Sequence, residues 1–260
     1  MSSRLSGHNA LVTGGSRGIG RAIALRLAAD GAGVAINYKS NRSAADEVAA
    51  QIENAGGKAI AIGGDVGDQA AARSMVEQAA NALGTLDILV NNAGLLHAGT
   101  LLEHDQDEFE VMWRTNVQGV LNCSAAAAPA MIEAGWGRII NIASNAAVGT
   151  SMPGTTLYAA TKGAVLSLTK RFALELGGHG ITANAVLPGF TVTDMVSHGK
   201  SADEMGQLMD KISGMSMLGR TGVPEDISNV VAFLASDESS FMTGQFLLAD
   251  GGRKDYLAQT

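Results

Sequence analysis

The chain has 260 residues, of which 46% are hydrophobic and 17% are charged, a balance typical of a globular protein rather than a disordered one. Its formal net charge of −7 at pH 7 argues against a nucleic-acid partner, because such proteins present a basic face to phosphates. The single cysteine, Cys123, excludes an intrachain disulfide and a thiolate metal cluster. The five histidines show no metal-ligating spacing, so we expect no metal.

The N-terminal stretch MSSRLSGHNALVTGG has no apolar core after its early arginine, so we expect no secretory signal. We also find no run of about 18 apolar residues, the length needed to cross a membrane. The sequence therefore predicts a cytoplasmic protein with no membrane partner.

Short β-rich runs alternate with longer alanine-rich amphipathic runs along the whole chain. The predicted strands are 10–13, 33–38, 58–64, 86–92, 137–144, 181–188 and 245–252. Helical patterns lie near 19–30, 42–55, 68–83, 105–134, 156–177 and 224–235. Several strands are apolar on consecutive residues, as parallel strands covered on both faces should be. The pattern predicts an α/β fold with a single domain over 1–260, a Rossmann-like doubly wound parallel sheet of about seven strands with helices on both faces.

One segment, residues 189–222, breaks this alternation. It is rich in glycine, serine and methionine, with at most a short helix near 202–213. Long irregular insertions in α/β folds are usually lids or binding loops, so we predict a substrate loop here. The alternative is a poorly packed excursion filled with methionine.

The first predicted strand runs through a glycine turn into a helix, in the stretch ALVTGGSRGIGRAIALRLA. Gly14, Gly18 and Gly20 stand where a tight turn, a close approach to a ligand and close helix–strand packing each exclude a Cβ atom. The helix N-terminus that follows offers N–H groups to a pyrophosphate. A mononucleotide P-loop is the competing interpretation, since Gly15 and Gly20 have its spacing. However, 21–22 reads Arg-Ala where Lys-Ser/Thr is required.

The end of the second predicted strand bears on the choice of cofactor. An NAD site usually has a carboxylate about 20 residues after the glycine turn, to bind the ribose 2′-hydroxyl. Here Asn37 occupies that place, and the next carboxylate is Asp46. Cations and hydrogen-bond donors stand nearby instead, at Arg17, Lys39, Ser40 and Arg42. We therefore predict NADP(H) over NAD(H), the alternative being that these are only solvated loop charges.

The motifs TGGSRGIG (13–20), NNAG (91–94), Asn116, Ser144 and YAATK (158–162), in this order, resemble the classical branch of the short-chain dehydrogenase/reductase superfamily. The resemblance continues through LPGFTVTDM (187–195) and the stretch 219–252. It therefore covers essentially the whole chain and implies hydride transfer between a nicotinamide dinucleotide and a ketone or secondary alcohol.

The resemblance implies a catalytic set of Asn116, Ser144, Tyr158 and Lys162. Tyr158 and Lys162 are four residues apart and share a helix face. We expect the ammonium, and the positive end of a bound nicotinamide, to lower the pKa of the phenol, which is then able to exchange a proton with the substrate oxygen. Ser144 would donate to that oxygen, Lys162 would bind the nicotinamide ribose, and Asn116 would hold a water that links the lysine to solvent. The structural alternatives are a cap or turn role for Ser144 and Asn116, and an ordinary amphipathic helix with a snorkelling lysine.

The same resemblance implies the contacts to the cofactor. The implied residues are Gly14, Ser16, Arg17, Gly18, Ile19 and Gly20 in the turn, Asn37, Tyr38, Lys39 and Ser40 after the second strand, Asp65 and Val66 at the adenine, Asn91, Asn92, Ala93 and Gly94 beside the adenine ribose, Tyr158 and Lys162, and Pro188, Gly189, Thr191 and Thr193 beside the nicotinamide amide.

The chain looks most similar to the 3-oxoacyl-[acyl-carrier-protein] reductases, which need basic residues near the site entrance to dock an acidic carrier protein. At the matching places it reads MIEAGWGR and LGGHGIT, with Trp136 and His179. This departure argues against a carrier protein, so a free ketone, a CoA ester or a small cyclic alcohol remains open, with 145–156 as part of the pocket wall.

Two other functions stay open beside the reductase: a catabolic NAD(P)-dependent alcohol dehydrogenase of the same family, and a dinucleotide-sensing protein without turnover. The resemblance further implies a homotetramer, with the long helices at 105–134 and 156–177 as candidate interfaces.

Overall fold

The computed structural model describes residues 4–193 and 201–256 of the chain. Within them, seven parallel strands form one sheet in the order β3-β2-β1-β4-β5-β6-β7. The strands are β1 Asn9–Val12, β2 Gly33–Tyr38, β3 Ala59–Gly63, β4 Ile88–Asn91, β5 Gly137–Ile142, β6 Ile181–Pro188 and β7 Phe246–Ala249. The predicted doubly wound parallel sheet is confirmed.

Helices cover both faces of the sheet. They are α1 Gly18–Ala29, α2 Arg42–Asn54, α3 Gln69–Leu83, α4 Gln106–Trp113, α5 Gly119–Ala134, α6 Thr156–Leu176, α7 Ala202–Gly214 and α8 Pro224–Ala235. The helices α1, α2 and α8 pack into one buried apolar cluster, and α3, α5 and α6 pack into another on the opposite face. The sheet lies between the two clusters.

The strands show why their apolar residues are consecutive. Val34, Ala35 and Ile36 are all fully buried, although successive side chains of a strand point to opposite faces. Ala35 belongs to the cluster around α3, whereas Val34 and Ile36 belong to the cluster around α1. Both faces of β2 are therefore covered, as the sequence pattern predicts.

The predicted long helix 105–134 is the main difference in secondary structure. It is divided into α4 and α5 by a single π-helical turn at Arg114–Gln118. A π turn widens the helix by one residue, and such turns are frequent at functional sites. Here the turn carries Asn116, whose side chain is fully buried.

The insertion contains the predicted short helix as α7, which begins with a capping box formed by Ser201 and Glu204. The part of the insertion at 194–200, with Met195, lies outside the described residues. Two strands end two or more residues earlier than predicted. β5 ends at Ile142 because Ser144 begins a 3₁₀ turn, and β7 ends before Gly251 and Gly252, which have positive φ.

The order of the strands in the sheet indicates where a ligand would bind. The chain order reverses between β1 and β4, which are neighbours in the sheet, and open α/β sheets bind ligands at such a switch point, beyond the carboxyl ends of the strands. The glycine turn follows β1, the segment 92–94 follows β4, and Ser144 follows β5. The sequence motifs therefore meet at one edge of the sheet.

Candidate active site

The glycine turn has the backbone that its sequence predicts. Gly14 and Gly18 have φ values of 60° and 53°, a region that favours glycine. A Cβ atom on Gly20 would lie 2.3 Å from the carbonyl oxygen of Gly14 and 2.5 Å from Asn92 Nδ2. Asn92 itself donates to the carbonyls of Thr13 and Gly14, at 2.9 and 3.1 Å. The turn is thus held against the end of β4, and the N-terminus of α1 faces the site.

Asn37 holds the turn from the other side. Its Oδ1 accepts a hydrogen bond from the Gly14 N–H at 3.0 Å, and its Nδ2 donates to the Gly64 carbonyl at 3.0 Å. The side chain is 2% exposed, and its amide is occupied by backbone groups on both sides. Asn37 therefore braces the glycine turn, and its contact with a cofactor stays a prediction.

The predicted cations near the end of β2 separate into two groups. Lys39 pairs with Asp65 at 2.8 Å, and burial, which raises the pKa of Asp65, is outweighed by this pair and by the Gly67 N–H, so the pKa lies below its usual value. Arg17, Lys39 and Ser40 all border the cavity described next. Arg42 pairs with Asp46 on the exposed surface of α2 and is not among the described lining residues.

A cavity of about 440 Å³ joins the glycine turn to Ser144, Tyr158 and Lys162. Among the predicted cofactor residues, Asn91 lies behind the wall and hydrogen-bonds Asn141 and Ser124 at 2.8 and 3.1 Å. The cavity is lined by Gly14, Ser16, Arg17, Gly18, Ile19, Gly20, Asn37, Tyr38, Lys39, Ser40, Asp65, Val66, Asn92, Ala93, Gly94, Pro188, Gly189, Thr191 and Thr193.

The end of β5 and the first turns of α6 bring the catalytic side chains together. Ser144 is the N-cap of a 3₁₀ turn and accepts the Ala146 N–H at 3.1 Å. The Tyr158 hydroxyl is hydrogen-bonded with Ser144. Lys162, one turn further along α6, is 4% exposed and donates to the Ile142 carbonyl at 2.8 Å.

The structure reverses the predicted direction of the tyrosine pKa. Burial raises the pKa of Tyr158 to about 12, although the hydrogen bond from Ser144 opposes the rise. Burial lowers the pKa of Lys162 to about 8. The lysine Nζ lies 5.8 Å from the centre of the Tyr158 ring and is directed at a carbonyl. Among the protein groups themselves, the expected lowering of the phenol pKa by the ammonium was therefore wrong, because desolvation disfavours the charged form of both groups. The contribution expected from a bound nicotinamide stays a prediction.

The side chain of Asn116 makes its hydrogen bonds to other groups of the protein. Its Oδ1 accepts the Leu95 N–H at 2.8 Å, and its Nδ2 donates to the Leu95 carbonyl at 2.9 Å and to Thr161 Oγ1 at 3.0 Å. A Cβ atom on Gly94 would lie 3.4 Å from both Asn116 Oδ1 and Lys162 Nζ. The side chain thus fixes the segment after β4 beside the lysine, and its water-holding role stays a prediction.

Arg253 lines the cavity although it was not predicted to do so, whereas Asn145 belongs to the stretch 145–156 that was predicted to form part of the pocket wall. Asn145 directly follows Ser144, and Arg253 follows the Gly251–Gly252 pair near the end of the chain. The only signal in the sequence was a charged residue directly after two glycines, which does not indicate where that residue packs.

The two positions considered for carrier-protein docking lie elsewhere. Trp136 directly precedes β5 and His179 precedes β6, so both are at the amino edge of the sheet, opposite Ser144. The ring of Trp136 stacks on His8, with centroids 4.0 Å apart, and the Arg138 guanidinium lies 4.1 Å from its centre. Within one chain, these positions are not at the site entrance.

A hydroxyl pair and a buried lysine beside a glycine turn, at the switch point of a doubly wound sheet, define a dinucleotide-dependent oxidoreductase. The chain belongs to the short-chain dehydrogenase/reductase superfamily: a family model described as "Enoyl-(Acyl carrier protein) reductase" matches residues 14–254. The resemblance drawn from the motifs is confirmed. Across the described residues, no helix is long and apolar enough to cross a membrane, and no group of three or more histidine, cysteine or acidic side chains is placed to hold a metal.

Individual relatives agree with this assignment. The chain is 43% identical over 246 residues to the 3-oxoacyl-[acyl-carrier-protein] reductase FabG of Staphylococcus aureus, covering 94% of this chain and 97% of the relative. A short-chain dehydrogenase/reductase from Serratia marcescens has a TM-score of 0.89 at 41% identity, covering 96% and 98% of the two chains. A short-chain dehydrogenase from Burkholderia cenocepacia, solved in complex with NADP, has a TM-score of 0.87 at 42% identity, with the same coverage.

Proposed function

We propose that the chain forms one catalytic domain that interconverts a ketone and a secondary alcohol with NADP(H). The observation that carries the proposal is the shared cavity, in which Ser144, Tyr158 and Lys162 stand beside the glycine turn. A bound nicotinamide would supply the hydride for reduction, or accept it in oxidation and add a positive charge next to the phenol. The test is oxidation of NADPH by acetoacetyl-CoA, simple ketones, quinones and keto sugars.

The protein groups supply the proton. With a pKa of about 12, Tyr158 is a neutral phenol at pH 7 and is able to donate to a carbonyl oxygen as that oxygen gains negative charge. Ser144 donates a second hydrogen bond to the same oxygen. Lys162 holds its charge close to the phenol and stabilises the phenolate that remains until water returns the proton.

We expect reduction and oxidation to depend differently on pH. Reduction uses the protonated phenol, which persists at every pH well below about 12, so its kcat/KM should change little between about pH 6 and pH 8. Oxidation uses the phenolate, whose fraction rises with pH, so its kcat/KM should increase over the same range. Initial rates with NADPH and a ketone, and with NADP and the matching alcohol, measure both profiles. Oxidation that declines from pH 6 to pH 8 would contradict this assignment of the proton donor.

The preference for NADP(H) is supported by the charges at the end of β2. Arg17, Lys39 and Ser40 border the cavity, and arginine and lysine suit a 2′-phosphate. The Burkholderia cenocepacia relative was solved with NADP. Lys39 is held by Asp65 at 2.8 Å, so a 2′-phosphate would compete with that carboxylate for the ammonium.

We expect tighter binding of NADPH than of NADH, and we expect Lys39→Ala to reduce that preference by roughly threefold to tenfold, a modest effect because the lysine is well exposed. Titration of both cofactors by fluorescence measures the two dissociation constants. Arg42→Ala is the matched control, because it removes a cation from the exposed face of α2 and should leave the ratio unchanged. Tighter binding of NADH to the unmodified protein would defeat the NADP(H) proposal.

We propose a small-molecule carbonyl substrate rather than an acyl group on a carrier protein. The Staphylococcus aureus relative is named for a carrier-bound substrate, but this chain has Trp136 and His179 at the two positions where the resemblance implies basic residues. The departure bears on docking at the amino edge of the sheet, where both residues lie. Reduction of acetoacetyl-CoA but not of an acetoacetyl carrier protein would support this proposal, and the reverse result would overturn it.

We also propose a homotetramer that works in the cytoplasm. Apolar side chains are exposed on α4 and α5, at Val111, Trp113 and Leu121, and near the edge strand β7, at Phe241 and Leu248. Exposed apolar surface of this kind is typical of subunit interfaces. Sedimentation equilibrium should give a mass near four times the 26.6 kDa of the chain.

A further inference from the structure

The C-terminal segment Arg253–Tyr256 brings one residue, Arg253, to the active-site wall. Tyr256 pairs with Thr150 in an antiparallel bridge, and the Ser151 N–H donates to the Asp255 carbonyl at 3.0 Å. On its other side, Arg253 pairs with Ser216, just beyond α7. The segment therefore connects the loop that follows Ser144 to the insertion.

Arg253 is a buried cation at this wall. It is 3% exposed and lines the same cavity as Ser144 and Tyr158. Its Nε and Nη2 donate to Asp255 at 2.6 and 2.5 Å, and Asp255 also accepts from Ser151 Oγ at 2.8 Å. Among the described residues, no hydrogen bond engages Arg253 Nη1. The guanidinium is therefore fixed in orientation by one carboxylate and retains donor capacity.

Asn145 supplies a second donor beside Ser144. It is 7% exposed and lines the cavity, yet its Nδ2 has no hydrogen-bond partner among the described residues. The Tyr256 hydroxyl lies near Asn145, but without hydrogen-bonding geometry to Nδ2, and it donates to Asp250 instead. A buried donor without an acceptor is unfavourable, so Asn145 Nδ2 suits an oxygen supplied by a ligand.

The charges of the cavity point in the same direction. Four cations line it, at Arg17, Lys39, Lys162 and Arg253, against one carboxylate, Asp65, among the described lining residues. Lys39 neutralises that carboxylate. On the catalytic side, Lys162 has no carboxylate partner among the described residues, whereas Arg253 is paired with Asp255, so the positive charge there is only partly neutralised. An anionic substrate group is favoured there, because oppositely charged groups attract strongly in a partly desolvated cleft.

We propose that Arg253 and Asn145 bind a carboxylate carried by the substrate, so that the enzyme prefers keto acids to neutral ketones of the same size. This inference rests on the proposed function. Arg253 and Asn145 are specificity-determining residues in this arrangement, and Asp255 and Ser151 position the guanidinium. A simple 3-oxoacyl thioester has no carboxylate to offer, so the inference separates two substrate classes.

The test compares acetoacetate with 2-pentanone as substrates for NADPH oxidation. We expect the ratio of their kcat/KM values to exceed about ten in the unmodified protein and to fall about tenfold or more in Arg253→Met. We expect Asn145→Ala to lower the ratio in the same direction. Lys254→Met is the matched control, because it removes an exposed cation from the adjacent position and should leave the ratio unchanged.

A binding measurement provides a second readout. Butyrate should inhibit the reduction of 2-pentanone competitively, and its inhibition constant should rise about tenfold in Arg253→Met. The NADPH dissociation constant and the melting temperature show whether each variant is folded. If Arg253→Met does not fold, the comparison of substrates in the unmodified protein and the Asn145→Ala result still decide the question.

The possible failures are distinguishable. No oxidation of NADPH with any carbonyl compound would overturn the proposed function. Reduction of 2-pentanone as efficient as that of acetoacetate, with no inhibition by butyrate, would overturn the carboxylate site and leave the proposed function standing.

Discussion

Replacing Tyr158 with phenylalanine should lower kcat for ketone reduction by about a thousandfold and leave the NADPH dissociation constant within about threefold. The variant loses only the hydroxyl, which is hydrogen-bonded with Ser144, and general acid catalysis typically contributes a factor of about 10²–10⁴. The ring remains to pack beside Lys162, whose Nζ is held by the Ile142 carbonyl. Steady-state rates and fluorescence titration of NADPH measure the two quantities.

This result would also separate the enzyme from a dinucleotide-sensing protein. A sensor without turnover would bind NADPH equally well in both forms and show no rate to lose. Ser144→Ala provides a graded comparison, since loss of one donor to a developing oxyanion typically costs a factor of about 10²–10³. Full activity in Tyr158→Phe would refute the assigned proton donor.

The sheet and the glycine turn were predictable because their signals are local. Val34, Ala35 and Ile36 are consecutive apolar residues because both faces of β2 are covered by buried clusters. Gly14 and Gly18 have positive φ, a conformation that glycine adopts without strain. Such features depend on the neighbouring residues alone, so spacing and residue type identify them.

Features that depend on distant parts of the chain were not predictable in this way. The π turn at Arg114–Gln118 reads as continuous helix in the sequence, because the partners of its Asn116, which are Leu95 and Thr161, lie far away in the chain. Arg253 was missed for the same reason. It reaches the cavity because Tyr256 pairs with Thr150 and Arg253 itself pairs with Ser216.

The pKa of Tyr158 shows a third kind of limit. The spacing of Tyr158 and Lys162 correctly indicated that they share a helix face, and a charge pair on an exposed helix would have lowered the pKa of the phenol. Burial of both side chains instead raises the pKa of Tyr158 and lowers the pKa of Lys162. Motifs can thus name the reacting groups, whereas the environment that sets their protonation requires the folded chain.

Gly20→Ala should raise the NADPH dissociation constant by about 10- to 100-fold and reduce stability by about 1–3 kcal/mol. The added methyl would stand 2.3 Å from the Gly14 carbonyl oxygen and 2.5 Å from Asn92 Nδ2. The first neighbour is the backbone of the turn, and the second, Asn92, holds the turn against the end of β4. Relief therefore requires a movement of the backbone that would cradle the pyrophosphate. Fluorescence titration and thermal unfolding measure the two effects.

Gly163→Ala is the matched control for this substitution. Gly163 lies in α6, and a Cβ atom there would meet no described atom within 4 Å, so the change should leave NADPH binding intact and raise stability by about 0.5–1 kcal/mol through helix propensity. The two variants add the same methyl group, one at the turn and one away from it. Equal NADPH affinities in both would mean that the backbone between Gly14 and Gly20 does not hold the dinucleotide, whereas a loss confined to Gly20→Ala ties cofactor binding to the close approach of α1 and β4.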